Sequence, residues 1–145
     1  MMGYEWFHGD EDLADIWQIR TKVFIEEQNV PIQRERIVAE DTAATHLLVL
    51  LKDAPVATGR ILAVDGKFIL GRIAVLREYR GRGLGKLVTE LLAQKCFEMG
   101  ADEVVLSSQY HAKGFYEELG FDVCSEVYMD AGIEHVSMVL KKTCG

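Results

Sequence analysis

Only three of the 145 residues are cysteine and two are proline. Cys96, Cys124 and Cys144 are odd in number, far apart and without metal-clip spacing, which excludes a disulfide framework or a zinc centre as the organiser of the chain. Cys96 and Cys124 are expected as small apolar core residues, and Cys144 as a thiol at a frayed end. With proline scarce and no Ser/Pro/Gly tract to serve as a linker, residues 1–145 read as one domain, without internal repeats. Long apolar runs are missing too: none approaches the ~18 residues of a membrane span. The N-terminus lacks the basic start and apolar stretch of a signal peptide, so a reduced, cytoplasmic setting without membrane contact is expected. Cations are outnumbered, 16 Lys and Arg against 23 Asp and Glu, for a formal net charge of −7. That balance argues against nucleic acid as a partner, since binding it depends on neutralising phosphates with many cations.

What is present is a composition of 49% hydrophobic and 27% charged residues, that of a globular protein able to bury a core without staples. Against the acidic background one basic, glycine-rich stretch stands out: Arg80-Gly81-Arg82-Gly83-Leu84-Gly85, followed by Lys86. It follows the apolar run Ile69–Val75 and opens an amphipathic helix beginning near Leu84. A turn between strand and helix leaves several backbone N–H groups unpaired, and the helix dipole adds positive potential, so the place suits a phosphate or diphosphate. Local cations on an acidic chain point to an anionic ligand.

Two phosphate motifs fail on spacing. A P-loop needs glycine where Arg80 stands and Ser or Thr where Leu87 follows the lysine; a dinucleotide fingerprint needs a third glycine where Lys86 sits. What remains, Arg80-x-x-Gly83-x-Gly85, resembles the diphosphate loop of the GCN5-related N-acetyltransferase (GNAT) family. About thirty residues on, Phe115-Tyr116-Glu117-Glu118-Leu119-Gly120-Phe121 resembles the family's Phe-Tyr-x-x-x-Gly-Phe segment. Val23-Phe24-Ile25-x-Glu27-Gln28, Thr45-His46 and Gly132-Ile133-x-His135 extend the resemblance to a subgroup of small bacterial members, over nearly the whole chain.

Residue patterns place a strand near Tyr4–Trp6 and a helix capped by Asp10, with Leu13, Ile16, Trp17, Arg20, Val23 and Phe24 at helical spacing. Residues 26–41, polar and interrupted by Pro31, read as a loop with at most one helical turn. Strands follow at 45–51, 56–64 and 67–75, joined by turns at 52–55 and at Asp65-Gly66. A helix from Leu84 to about Met99, a strand at 103–107, a short helix at 111–119 and strands at 121–124 and 134–140 complete the chain. A meander that changes to strand–helix–strand requires a mixed sheet, parallel where strands 69–75 and 103–107 meet. The resemblance implies an α/β (α+β) GNAT fold: a mixed, mostly antiparallel central sheet of six to seven strands, about four flanking helices, and a V-shaped splay between the two parallel strands.

It further implies an acetyl-CoA-dependent N-acetyltransferase acting on a primary amine, small molecule or peptide, without a metal, as a monomer or homodimer. Ile73, Ala74, Val75, Arg80, Gly81, Arg82, Gly83, Leu84, Gly85, Lys86, His111, Phe115 and Tyr116 are then expected to bind coenzyme A. An oxyanion donor is assigned to a strand amide at or near Val75, and Tyr116 to protonating the leaving thiolate. His111 stands where the family often has an asparagine touching the pantetheine. The acceptor side is expected to involve Phe24, Glu27, Gln28, Asp41, His46, Arg72 and His135. Glu27, Asp41, His46 and His135 are all candidates for the base that takes the ammonium proton, Glu27 foremost, although Glu27 and Asp41 equally suit loop-holding hydrogen bonds. Arg60 and Arg72 could face a carboxylate on the substrate or simply line a solvated strand face. The loop alone accounts for binding without turnover, so an acyl-CoA-binding sensor or partner module is the alternative.

Overall fold

The computed structural model describes residues 1–143; Cys144 lies outside them. The chain runs β1 (Met2–His8), α1 (Ala14–Arg20), α2 (Ile32–Glu35), α3 (Val38–Ala43), β2 (Thr45–Leu51), β3 (Ala54–Val64), β4 (Lys67–Val75), α4 (Leu84–Glu98), β5 (Glu103–Gln109), α5 (Lys113–Glu118), β6 (Asp122–Val123), β7 (Tyr128–Asp130) and β8 (Ile133–Lys141). The eight strands form one sheet in the order β1-β2-β3-β4-β5-β8-β6, with β7 also on β8. The eighth strand is β7, which lies between the strands expected at 121–124 and 134–140. Every pairing is antiparallel except β4 with β5.

Two-residue turns at Lys52-Asp53 and Asp65-Gly66, all four residues at positive φ, join β2 to β3 and β3 to β4. These left-handed turns match the twist of the strands they connect. On one face α4 buries Leu84, Val88, Leu92 and Cys96 against Val56, Leu70, Val104, Leu106 and Met138. The opposite face carries α1, whose Ile16 and Ile19 pack with Leu48, Ala74 and Leu76. Gly59 is where α4 presses closest to the sheet: a Cβ there would lie 2.6 Å from Leu92 Cδ1 and 2.9 Å from Val88 Cγ1.

Three expectations are corrected. Helix α1 starts at Ala14, not after Asp10: Glu11 Oε1 accepts from the His8 amide (2.8 Å), turning the chain, and Asp12 Oδ1 caps the Ala14 amide (3.0 Å). Residues 26–41 are not a loop. Helix α1 runs on into a π-helical stretch, Thr21–Glu27, and α2 and α3 follow. Their order comes from interior ion pairs that no local pattern reveals. Finally, Cys96 is buried, its thiol pushed up to about 12 by burial, whereas Cys124 is exposed.

Candidate active site

The site begins where two strands part. β4 and β5 pair only over Phe68–Leu70 with Val104–Leu106. Beyond that point β4 stays with β3 and β5 stays with β8, which opens a gap between them. A bulge marks the parting. Thr58 pairs Ala74 and Arg60 pairs Gly71, so Gly59 alone faces Arg72 and Ile73, and Arg72 sits at φ 51°. The bulge re-aims the strand end. The Leu76 amide donates to Val56 of β3 (2.9 Å), so the alternation of the strand turns the Val75 amide the other way, into the gap.

At the mouth of the gap lies the basic glycine turn. Gly81 and Gly83 both hold φ 79°, a left-handed backbone that side chains rarely adopt, and the space beside each is open. The first backbone bond into α4 is Leu87 N–H to Gly83 O (3.0 Å). Among the described residues, the six amides from Gly81 to Lys86 donate to no protein acceptor. Six free donors at the positive end of a 15-residue helix form an anion cradle.

A cavity of about 450 Å³ joins this cradle to the gap. Its walls are Ile73, Ala74 and Val75 of β4, Arg80, Gly81, Gly83, Leu84, Gly85 and Lys86 of the turn, Phe115 of α5, and Val23 and Gln28 of the π-helical segment. The structure thus gathers ten of the thirteen residues expected to bind coenzyme A onto one surface. Arg82 instead lays its guanidinium over Tyr79, 5.3 Å from the ring centre. His111 Nε2 bonds Gln109 Oε1 at 2.6 Å on the exposed surface. Tyr116 stands behind the wall, edge-on to Phe115 and Phe121 with centroids at 5.0 and 6.0 Å. Burial pushes its phenol above the ordinary value of 10.0, so it stays protonated at neutral pH.

The expected acceptor-side residues scatter. Gln28 lines the cavity, while Phe24 packs against the α1-side core. Both oxygens of Glu27 accept from Arg80, each at 3.0 Å. Asp41 and His46 do not line a cleft: they are 4% and 0% exposed, inside a charged interior. There Arg20 reaches Glu35 (2.7 and 2.9 Å) and Asp41 (2.8 Å), while Arg60 reaches Asp41 (2.7 Å) and Glu40 (3.0 Å). Burial alone would raise Asp41, but bonds and charge from Arg20 and Arg60 outweigh it and hold the carboxyl below its usual range. Burial lowers His46, whose Nε2 meets the Asp41 carbonyl (2.9 Å) and whose Nδ1 has no partner among the described residues. Nor are Arg60 and Arg72 on a solvated face. Arg60 is 6% exposed, and Arg72 donates to the carbonyls of Glu35 (3.2 Å) and Arg34 (3.0 Å), satisfying the end of α2.

His135 lies on β8 opposite Gln109, with its ring stacked on Tyr128 and Nδ1 donating to Ile133 O (2.8 Å). The Tyr128 hydroxyl bonds Ser107 and also takes a 3.4 Å bond from Ser137. Ser107 is one residue past the last β4–β5 pair, so these hydroxyls sit at the gap, on the sheet face away from α4. Arg34 reaches across to Asp130 of β7 (2.9 Å), linking the two segments that flank this face. Lone Ser and Tyr residues on separate strands carry no pattern, and only the β5–β8–β7 register brings them together.

The comparisons with known proteins point the same way. The family model described as "Acetyltransferase (GNAT) domain" matches residues 11–142. The chain is 36% identical over 131 residues to the Bacillus subtilis (strain 168) protein described as "Uncharacterized N-acetyltransferase YjcF", covering 90% of this chain and 93% of that one. It is 34% identical over 132 residues to "Protein ElaA" of Escherichia coli (strain K12), covering 87% and 85%. The crystal structure of Escherichia coli ElaA superposes with a TM-score of 0.87 over 97% of this chain and 100% of that one, at 30% identity. An acyl-CoA N-acyltransferase from Pseudomonas aeruginosa gives 0.84 over 97% and 99%, at 28% identity. With the family model matched over residues 11–142 and these relatives covered over most of their length, the chain belongs to the GNAT family of acetyltransferases.

Proposed function

We propose that this chain transfers an acetyl group from acetyl-CoA to a primary amine, a small molecule or an accessible peptide amine, by direct attack within a ternary complex. The observation that carries this reading is the row of unpaired amides from Gly81 to Lys86, opening on a cavity that runs to the parted strands. Those donors suit the diphosphate of coenzyme A, with Lys86 adding charge. The apolar walls, Ile73, Val75 and Phe115, suit the pantetheine arm. The similarity to an acyl-CoA N-acyltransferase supports the same donor.

A thioester is already activated, so the protein need only hold a neutral amine beside it and receive the charge that develops. The Val75 amide, turned into the gap, is the donor proposed for the oxyanion. Tyr116 is the proposed acid for the departing sulfur. An ordinary phenol lies only about 2 kcal/mol uphill of an ordinary thiolate. Burial raises Tyr116 further, so the phenol is protonated and available as a donor at neutral pH. The amine is proposed to approach from the face holding Gln28, Ser107, Tyr128 and His135.

The test is thiol release from acetyl-CoA over a panel of primary amines. At least one amine should be turned over by the unaltered protein, and Tyr116→Phe should lower that rate about 100-fold, the low end of general-acid effects. Release no faster than in Tyr116→Phe for every amine would remove the enzymatic reading.

A further inference from the structure

Arg80 opens the anion cradle, yet its side chain turns back from it. Nε donates to the Val75 carbonyl (3.0 Å), while Nη1 and Nη2 donate to the two oxygens of Glu27 (3.0 Å each). One guanidinium therefore joins three segments: the end of the π-helical stretch, the end of β4 and the first residue of the glycine turn. Only a planar fork with fixed donor directions can do this; an ammonium in its place holds one direction well. The side chains are 43% and 24% exposed, so solvent screens much of the Coulomb attraction and the geometry is what the pair contributes. Arg77 comes only to 4.0 Å from the same carboxylate, on a side chain 77% exposed.

The carbonyl that Arg80 holds belongs to Val75, whose amide is the one turned into the gap. A strand residue's carbonyl and amide share a side, so fixing one fixes the other. The Leu76–Val56 bond sets the direction of that amide, and Arg80 with Glu27 holds the strand end there and anchors the turn carrying the six free donors.

We propose that Glu27 is a positioning residue that acts through Arg80: it locks the guanidinium against Val75, and so holds the diphosphate turn and the strand end in the geometry coenzyme A requires. This rests on the coenzyme A reading above. With both oxygens committed to Arg80, Glu27 does not serve as the base that takes the amine's proton.

The test is the calorimetric dissociation constant of coenzyme A for the unaltered chain, Glu27→Gln, Arg80→Lys and the double variant, beside ligand-free thermal midpoints. Each single substitution should weaken binding about 10-fold, the size of one charge-assisted hydrogen bond. The double variant should weaken it by about the same factor, since both changes break one unit. Ligand-free midpoints should stay within a few degrees, because the pair lies at the surface. Unchanged or tighter binding by Glu27→Gln overturns the inference, the latter showing that the carboxylate competes with the diphosphate for Arg80. So does a double variant that multiplies the two losses. A Glu27→Gln protein that binds normally but loses the acidic limb of its rate–pH profile overturns it in favour of a base. Arg80→Lys supplies an arm independent of how Glu27→Gln folds. An unaltered chain that binds no coenzyme A overturns the parent reading and this one with it; normal wild-type binding with an indifferent Glu27→Gln overturns this one alone.

Discussion

The glycine turn and the charged interior behind it use similar polar groups to opposite ends. Around residues 80–86 the donors are many and the acceptors few, leaving six amides without a protein acceptor among the described residues. Around Arg20, Glu35, Asp41 and Arg60 nearly every donor meets an acceptor in a dry setting, and the charges cancel among themselves. In the proposed function the first region is completed by coenzyme A; the second is finished by folding. Asp41, His46, Arg60 and Arg72 have the chemistry of site residues, yet they spend it on one another and on the ends of short helices.

The largest way to sharpen this contrast is to unbalance the interior. Asp41→Ala strands Arg20 and Arg60 short of a partner, and should cost about 3–5 kcal/mol of unfolding free energy in urea. Residual coenzyme A binding by whatever remains folded should be normal. A loss below 1 kcal/mol would mean the network is not the scaffold described here.

Next comes the turn. Gly83→Val forces a β-branched residue into φ 79° and fills the open space beside the amides. Coenzyme A should bind at least 100-fold more weakly by calorimetry, about 2.7 kcal/mol. Unchanged affinity would break the comparison at its unmet half.

The smallest effect is a pH dependence of stability. His46 is held neutral by burial, below its ordinary 6.5, so the unfolded chain takes up a proton first. Stability should therefore fall as pH drops below 6.5, and His46→Gln should flatten that part of the urea-midpoint profile. Asp41 contributes in a separate window. Its depressed carboxyl supports the fold above 3.8, and that support is lost as pH falls through its lower folded value. A profile level from pH 7 to 5 in the unaltered protein would show that His46 is not held as the structure describes.

Much of the cavity side was legible because it is local. Glycines at 81, 83 and 85, with cations between them, lie within one turn of chain, and the helix behind them announces itself by Leu84, Val88, Leu92 and Cys96 at four-residue spacing. Hairpins at Asp65-Gly66 and the mixed sheet followed from equally short-range patterns. The acceptor side was not legible in the same way. From its neighbours in the chain Glu27 suits a base or a loop-holding contact equally, and only the fold brings Arg80, fifty-three positions away, onto both its oxygens. Ser107, Tyr128 and Ser137 carried no signal at all, because three strands must pair before their hydroxyls meet.

The sequence by itself determined most of the strands, the long helix α4 and the place of the glycine turn, but not the π-helical stretch, α2, α3 or β7, because periodicity and backbone conformation act over a few residues. Only the tertiary structure decided which polar side chains remain available for chemistry. That depends on whether a distant partner arrives to satisfy them, and burial makes leaving them unsatisfied too costly to be left to chance.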